Sequence, residues 1–237
     1  MVGEGAGRRR NRQMKKWIAA ALAAVGLCGV LSAEAAGIGF DRTRVVIEKG
    51  ASEGSLVLSN DTNWAFLVRN SVENVDRQKT DKAAALPPIH KMMPGKSARV
   101  RIAVTNPEAL PKDRESLFWL DSKAIPAKSD AENAVRFNYV SRLKVFYRPK
   151  GLAYTQTEAM KRQELSIDGG RLHIKNPTPY YITFGEYRLN GKVIDASDMI
   201  APFSEKTVTL EVKKGDKLSW SGVDDLGAMY PVEAQLK

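Results

Sequence analysis

One stretch of the chain alternates apolar and polar positions for longer than a usual strand, and it constrains the fold more than composition does. Six of its apolar side chains lie at odd-numbered positions: Val135, Phe137, Tyr139, Leu143, Val145 and Tyr147. This period of two residues is typical of a β-strand, because successive side chains point to opposite faces of a sheet. It predicts one strand over residues 135–147, well beyond the usual five or six residues. We expect a β-rich fold in which so long a strand has a specific role.

Shorter runs of the same kind recur along the chain, and turn residues such as Pro94-Gly95 and Asn106-Pro107 separate them. The predicted strands span residues 38–47, 55–58, 66–74, 98–104 and 116–125 in the first half, and 164–167, 171–174, 181–189, 207–212 and 217–219 in the second. No segment carries a sustained helical stripe of apolar residues. Strands at this spacing are typical of β-sandwiches. We predict an all-β protein of two domains with a hinge at residues 148–151.

The N-terminal 35 residues are predicted to be a secretory signal peptide. Six basic side chains lie between Arg8 and Lys16, an apolar run follows at residues 17–31, and Ala33 and Ala35 form a small-residue cleavage site. The apolar run is short for a membrane-spanning helix, which needs about 20 residues. We therefore expect cleavage after Ala35 and no membrane insertion afterwards, with a retained anchor as the alternative.

Composition argues against several classes of function. Cleavage would lower the formal charge from +10 to +6, because the peptide carries six basic and two acidic residues, and nucleic-acid binding is not indicated. The single cysteine, Cys28, lies in the peptide, and His90 and His173 alone cannot assemble a usual zinc site. Nucleotide-binding and hydrolase motifs are absent from the sequence, so we predict neither an enzyme nor a cofactor.

Several motifs, taken together and in order, resemble one known family. They are FDRTRVVI (40–47), LVLSND (56–61), LPPI (86–89), PGK (94–96), PKDRESLFWL (111–120), LKVFYRP (143–149) and NPTPYYIT (176–183). This set resembles the PapD-like periplasmic chaperones of chaperone–usher pilus assembly. The resemblance implies two tandem immunoglobulin-like sandwiches set as a boomerang, a first domain (36–151) that carries the donor strand, and a second domain (152–237).

The resemblance also implies how such a protein acts. A pilus subunit is an incomplete sandwich that lacks its last strand, and the chaperone lends a strand that fills the groove. Here the side chains that enter the groove would be Val135, Phe137 and Tyr139. By the same resemblance, Arg44 and Lys144 would bind the subunit's C-terminal carboxylate. The complex would then be delivered to an outer-membrane usher, and the long edge strand also allows a self-capping dimer.

A third feature that the resemblance implies is a charged network between the domains, formed by Glu115, Arg148 and Asp225, with the neighbouring Asp224 as the alternative to Asp225. The chain departs from many relatives at Ser71, where they carry a tryptophan. We therefore expect the core of the first domain to rearrange around Trp64.

Two other functions remain as alternatives. A secreted carbohydrate-binding or adhesin-type sandwich would use Trp64, Trp119 and Trp220 as an exposed stacking platform, although Trp119 lies in an apolar strand that is typical of a core. An enzyme with an unrecognised carboxylate pair would need two adjacent acids with displaced pKa values in a cleft.

Overall fold

The computed structural model describes residues 37–48, 50–127, 137–194, 199–208 and 210–236. These residues form two β-sandwiches in sequence order, as predicted. The strands of the first sandwich are β1 (Ile38–Phe40), β2 (Arg44–Glu48), β3 (Glu53–Asn60), β4 (Phe66–Glu73), β5 (Ala83–Leu86), β6 (Ile89–Met92), β7 (Ser97–Val104), β8 (Ser116–Pro126) and β9 (Tyr139–Arg148). A 3-10 turn at Pro107–Ala109 joins β7 to β8.

Two sheets face each other in the first sandwich. One has the strand order β1-β3-β7-β5 and the other has the order β2-β9-β8-β4-β6. Neighbouring strands run antiparallel except β2 and β9, which are parallel. Alternate side chains of both sheets, such as Leu56, Val100, Leu120 and Val145, fill one apolar core.

The single strand predicted over residues 38–47 is wrong, because β1 and β2 belong to different sheets. Asp41 ends β1: its backbone N–H donates to the Val57 carbonyl, and its carboxylate accepts from the Val57 N–H at 2.9 Å. The chain then crosses to the other sheet before Arg44. A local period of two cannot reveal such a crossing, since the alternation continues on both sides of it.

Among the described residues, the long run is strand from Tyr139 onward, with Leu143, Val145 and Tyr147 directed into the core as the alternation predicts, and the predicted start at Val135 lies outside those residues. The adjacent strand limits its start. Tyr139 is opposite Ala124, and β8 ends two residues later at Pro126, which has no N–H to donate to a ladder.

The second sandwich begins with one short helix, α1 (Gln156–Met160). Its strands are β10 (Glu164–Asp168), β11 (Arg171–Asn176), β12 (Ile182–Leu189), β13 (Lys192–Ile194), β14 (Met199–Ile200), β15 (Ser204–Val208), β16 (Lys217–Val223) and β17 (Met229–Gln235). One sheet has the order β10-β11-β15, and the other has the order β13-β12-β16-β17 with β14 beside β12.

Four elements of this sandwich escaped the sequence patterns: α1, β13, β14 and β17. Strands β13 and β14 have only three and two residues, too few to show an alternation. Helix α1 is too short for apolar periodicity, and only its capping box signals it: Thr155 and Glu158 exchange side-chain and backbone hydrogen bonds. Strand β17 contains Pro231, which interrupts the pattern but is tolerated because β17 lies at the edge of its sheet.

Candidate functional site

Arg44 and Lys144 are neighbours in space although 100 residues separate them in sequence. They are direct partners in the parallel register of β2 and β9. Val45 and Val145, the next residues along each strand, point into the core. Arg44 and Lys144 therefore lie side by side on the opposite, outward face of the sheet.

The guanidinium of Arg44 lies against the second sandwich. Its Nη1 donates to the carbonyl oxygen of Val223, the last residue of β16, at 3.2 Å. Arg44 is only 7% exposed, and its Nε has no hydrogen-bond partner among the described residues. Burial lowers the pKa of Arg44, while nearby Asp225 and Asp224 oppose that shift. Arginine nevertheless stays charged in proteins, so this site holds a buried cation with donor capacity to spare.

Arg148, four residues beyond Lys144 on β9, is the centre of a charged cluster. Its Nη1 and Nη2 donate to both carboxylate oxygens of Asp225 at 2.8 and 2.9 Å, and its Nε donates to Glu115 at 2.8 Å. The structure thus brings together the three residues named from the sequence. Asp224 instead accepts the N–H groups of Leu226 and Ala228 within its own turn.

Glu115 connects the two sandwiches through its backbone as well as its side chain. Its N–H donates to the Pro179 carbonyl at 2.9 Å, and its Oε2 accepts the Tyr181 N–H at 2.8 Å. Burial raises the pKa of Glu115 to about 7, because the loss of hydration outweighs the attraction of Arg148. The Glu115 carboxyl group thus accepts hydrogen bonds from Arg148 of the first sandwich and from the Tyr181 N–H of the second.

The sequence did not single out several further contacts. Between the sandwiches, the rings of Phe146 and Tyr181 lie 5.8 Å apart, and the Arg114 guanidinium lies 4.8 Å from the Phe203 ring centroid. Within the first sandwich, Glu48 accepts from Arg148 at 2.8 Å. Glu48 and Arg148 are register partners in β2 and β9, so that pair could be found once the parallel pairing was known. The other contacts have no local pattern that would reveal them.

Strand β9 is paired on both sides over only part of its length. Residues 144–147 pair with both β2 and β8, whereas residues 139–143 pair with β8 alone in the part of the chain that the structure describes. The N-terminal half of β9 is therefore a free edge that ends beside Arg44 and Lys144. Unpaired backbone groups of this kind can accept a further strand.

The three side chains assigned to the subunit groove differ in their surroundings. Phe137 is 66% exposed just before β9 begins, and Val135 lies outside the described residues. Tyr139 is partly buried, with its ring edge-on to that of Phe66 at 6.1 Å between centroids. Phe137 is accordingly available to a partner without rearrangement, whereas Tyr139 already contacts the core of its own domain.

Trp64 does not fill the core of the first sandwich as expected, because its side chain is 60% exposed. The three tryptophans of the carbohydrate alternative do not form one platform either. Trp220 is buried in the second core, and the Trp119 indole donates to the Val75 carbonyl at 3.4 Å while Arg77 lies over its ring.

Neither a metal site nor a membrane span is found in the described ranges. No cluster of three or more His, Cys, Asp or Glu side chains there could ligate a metal ion. No helix there has the length and apolar character to cross a bilayer.

Similarity to known proteins covers both sandwiches. Residues 37–153 match the family described as pili and flagellar-assembly chaperone, PapD N-terminal domain, and residues 158–234 match pili assembly chaperone PapD, C-terminal domain. The chaperone protein FimC of Escherichia coli K12 is 34% identical over 200 residues, which are 83% of each chain. The chaperone protein FocC of Escherichia coli is 33% identical over 199 residues, 82% of this chain and 87% of FocC.

Solved structures give the same result. The periplasmic chaperone SfaE superposes with a TM-score of 0.74 at 30% identity, covering 85% of this chain and all of SfaE. A chain of the Salmonella enterica complex of SafA pilin with the SafB chaperone superposes with a TM-score of 0.77 at 25% identity, covering 84% of this chain and 96% of that one. These likenesses identify both sandwiches as immunoglobulin-like domains. Because the two domain matches together span most of the sequence, this chain belongs to the PapD-like family of pilus-assembly chaperones.

Proposed function

We propose that this protein is a periplasmic chaperone that captures pilus subunits by lending them a strand and delivers them to an outer-membrane usher. One observation carries the proposal: the free edge of β9, residues 139–143, begins beside exposed Phe137 and ends beside Arg44 and Lys144. An edge strand with an apolar side chain at one end and two cations at the other suits an extended, apolar chain with a terminal carboxylate.

The free edge would supply the backbone groups that an incomplete subunit lacks. A partner strand beside residues 139–143 satisfies unpaired N–H and C=O groups on both chains. Phe137 and Tyr139, with Val135 before them, share the parity that would enter the subunit's groove. Full burial of such a side chain is worth about 1.5–3 kcal/mol, so a few contacts give a firm grip that another strand can still replace.

Arg44 and Lys144 would fix the end of the subunit chain. Hydrogen bonds between ionised groups are roughly twice as strong as neutral ones, and Arg44 has an Nε donor without a described partner. Fixing the terminal carboxylate also fixes the register of the added strand, so that its apolar side chains face the groove and not solvent.

The cluster around Arg148 would have a structural role. Arg148 of the first sandwich joins Asp225 of the second, and Glu115 accepts from Arg148 and from the Tyr181 N–H of the second sandwich. Buried ion pairs of this kind are better suited to fixing a geometry than to adding net stability. The cluster would hold the domains so that a subunit bound along β9 also meets the second sandwich.

The proposal also covers the export of the chain, the bounds of its two domains and its pairing with a second copy. Residues 1–35 would be removed as a signal peptide, and domains 36–151 and 152–237 would remain in the periplasm. Without a subunit, the free edge of β9 could pair with a second copy in a self-capping dimer.

Removing both cations tests the proposal. Tagged wild type, Arg44→Ala/Lys144→Ala and the control Arg99→Ala/Arg101→Ala, which removes two exposed charges from β7 of the other sheet, are isolated from the periplasm of the native host. We expect wild type and control to retain small β-rich subunits, identified by mass spectrometry, and the first variant to lose at least about 90% of them.

Circular dichroism checks that each variant is folded, and Lys144→Ala alone provides a milder form of the test because Arg44 is buried. Equal retention by all three proteins would contradict the carboxylate assignment. Retention of no subunit by wild type would contradict the chaperone function itself.

A further inference from the structure

The two sandwiches contain the same hydrogen-bonded corner. In the first, Asn60 at the end of β3 donates from Nδ2 to the Trp64 carbonyl at 2.7 Å and to the Met92 carbonyl at 3.4 Å. Its Oδ1 accepts from the Thr62 hydroxyl at 2.7 Å, and that hydroxyl accepts the Trp64 N–H at 3.1 Å. These contacts fix the backbone on both sides of Trp64.

The second sandwich repeats the corner at the end of β11. Asn176 donates from Nδ2 to the Tyr180 carbonyl at 2.7 Å and to the Ala201 carbonyl at 2.9 Å. Its Oδ1 accepts from the Thr178 hydroxyl at 2.7 Å, and that hydroxyl accepts the Tyr180 N–H at 3.4 Å. The shared pattern is Asn-x-Thr-x-aromatic, too short to appear as a sequence repeat.

The aromatic residue of the second corner is covered by its neighbours. Tyr180 is 4% exposed; its ring lies 5.0 Å from the guanidinium carbon of Arg148, and its hydroxyl donates to the Tyr154 carbonyl at 2.8 Å. This corner is where the first sandwich docks on the second. The corresponding Trp64 of the first sandwich is 60% exposed, so the same element there has no comparable cover among the described residues.

We propose that the Trp64 corner is a second docking point for the pilus subunit, which rests on the proposed function. The same corner already receives a sandwich within this chain at Tyr180, and its rigid backbone presents an aromatic ring at little entropic cost. Tryptophan is enriched among the side chains that dominate binding interfaces. The partner's contacting surface would be apolar or would carry a planar cation, since both interact well with an indole ring.

The position of Trp64 favours the subunit over other partners. The Ala65 carbonyl accepts the Ala127 N–H at 2.9 Å, so the corner lies at the end of β8, level with the start of β9. Strands β4 and β9 flank β8, which sets them about 10 Å apart. Phe137 and Met93 are also exposed at this end of the sheet, so a subunit that covers Phe137 at the start of β9 would meet further apolar side chains across the end of β8.

Tryptophan fluorescence tests the assignment directly. The probe is a subunit retained by wild type in the pull-down described above. The emission of wild type minus that of Trp64→Phe isolates Trp64 from Trp119 and Trp220 and from the subunit. On binding, we expect this difference spectrum to move to shorter wavelength and to become less accessible to acrylamide.

Exchange kinetics provide the second measurement. Trp64→Ser should release the subunit about tenfold faster than wild type, whereas Val193→Ser, which alters an exposed apolar residue of β13, should not. The Trp64 substitutions should leave the fold intact, because the corner uses only the backbone of residue 64.

The possible results distinguish failure of the Trp64 docking point from failure of the proposed chaperone function. If the subunit binds and depends on Arg44 and Lys144, but the Trp64 emission and the release rate do not change, the docking point is wrong and the function stands. If the emission responds only to a second copy or to an usher, the subunit assignment is wrong. If wild type retains no subunit, the docking point and the proposed function are both wrong.

Discussion

Replacing Arg148 by alanine is expected to lower the free energy of unfolding by about 3–5 kcal/mol, because it leaves Glu115 buried without its cationic partner. Both side chains are buried, and Arg148 also holds Asp225 and Glu48. Urea unfolding, followed by circular dichroism, measures the loss.

Arg142→Ala is the matched control, since Arg142 lies on the same strand and forms a two-point pair with Asp121 at the surface. An exposed pair contributes about 0–1 kcal/mol, so this variant should remain near wild type. Replacing Glu115 and Arg148 together by Leu and Met should recover part of the loss, because no buried carboxylate then lacks a partner. Equal losses for Arg148→Ala and Arg142→Ala would contradict a structural role for the cluster.

Phe137→Asp is expected to weaken subunit binding at least about a hundredfold while leaving the chaperone's stability nearly unchanged. Phe137 is 66% exposed in the free protein, so its replacement removes little from the fold. In the complex it would lose roughly 1.5–3 kcal/mol of apolar burial and would bring a carboxylate into the groove, and each 1.4 kcal/mol is a factor of ten. Titration of a captured subunit by calorimetry measures the change.

Val140→Asp is the control for this prediction. Val140 is similarly exposed at 58%, but its even parity places it on the opposite face of β9 from Tyr139. The same charge there should have a much smaller effect. If Val140→Asp weakens binding as much as Phe137→Asp does, the predicted facing of the donor strand is wrong.

The sequence predicted the strand character of β9 because a strand with one buried face must alternate. Leu143, Val145 and Tyr147 are in the core for that reason. The strand's first residue was not predictable, since it depends on where β8 ends at Pro126. The crossing at Asp41 was likewise hidden, because alternation is the same whichever sheet a strand joins.

The charged residues were identified from motifs, but their geometry depends on contacts that are distant in sequence. The parallel register of β2 and β9 makes Arg44 a neighbour of Lys144. The carbonyls of Val223 and Pro179, which accept from Arg44 and Glu115, are backbone groups without a residue-type signature. A pattern of side chains cannot indicate which backbone oxygen will meet a guanidinium or an N–H group.

The prediction that Trp64 packs in the core of the first sandwich was wrong because it relied on residue type. A tryptophan in a β-sandwich is usually buried at least in part, yet the corner built by Asn60 and Thr62 directs Trp64 outward, and the next inward position belongs to Phe66. The signal that could have indicated this is the recurrence of Asn-x-Thr-x-aromatic at Tyr180.

Amide hydrogen exchange in the free protein and in its subunit complex tests strand donation most directly. Residues 144–147 already pair with both β2 and β8, so their exchange should change little and they serve as an internal reference. The free edge at residues 139–143 should exchange at least about tenfold more slowly in the complex, because its outward N–H groups gain partners. Unchanged exchange at residues 139–143, with protection on another surface instead, would contradict the account.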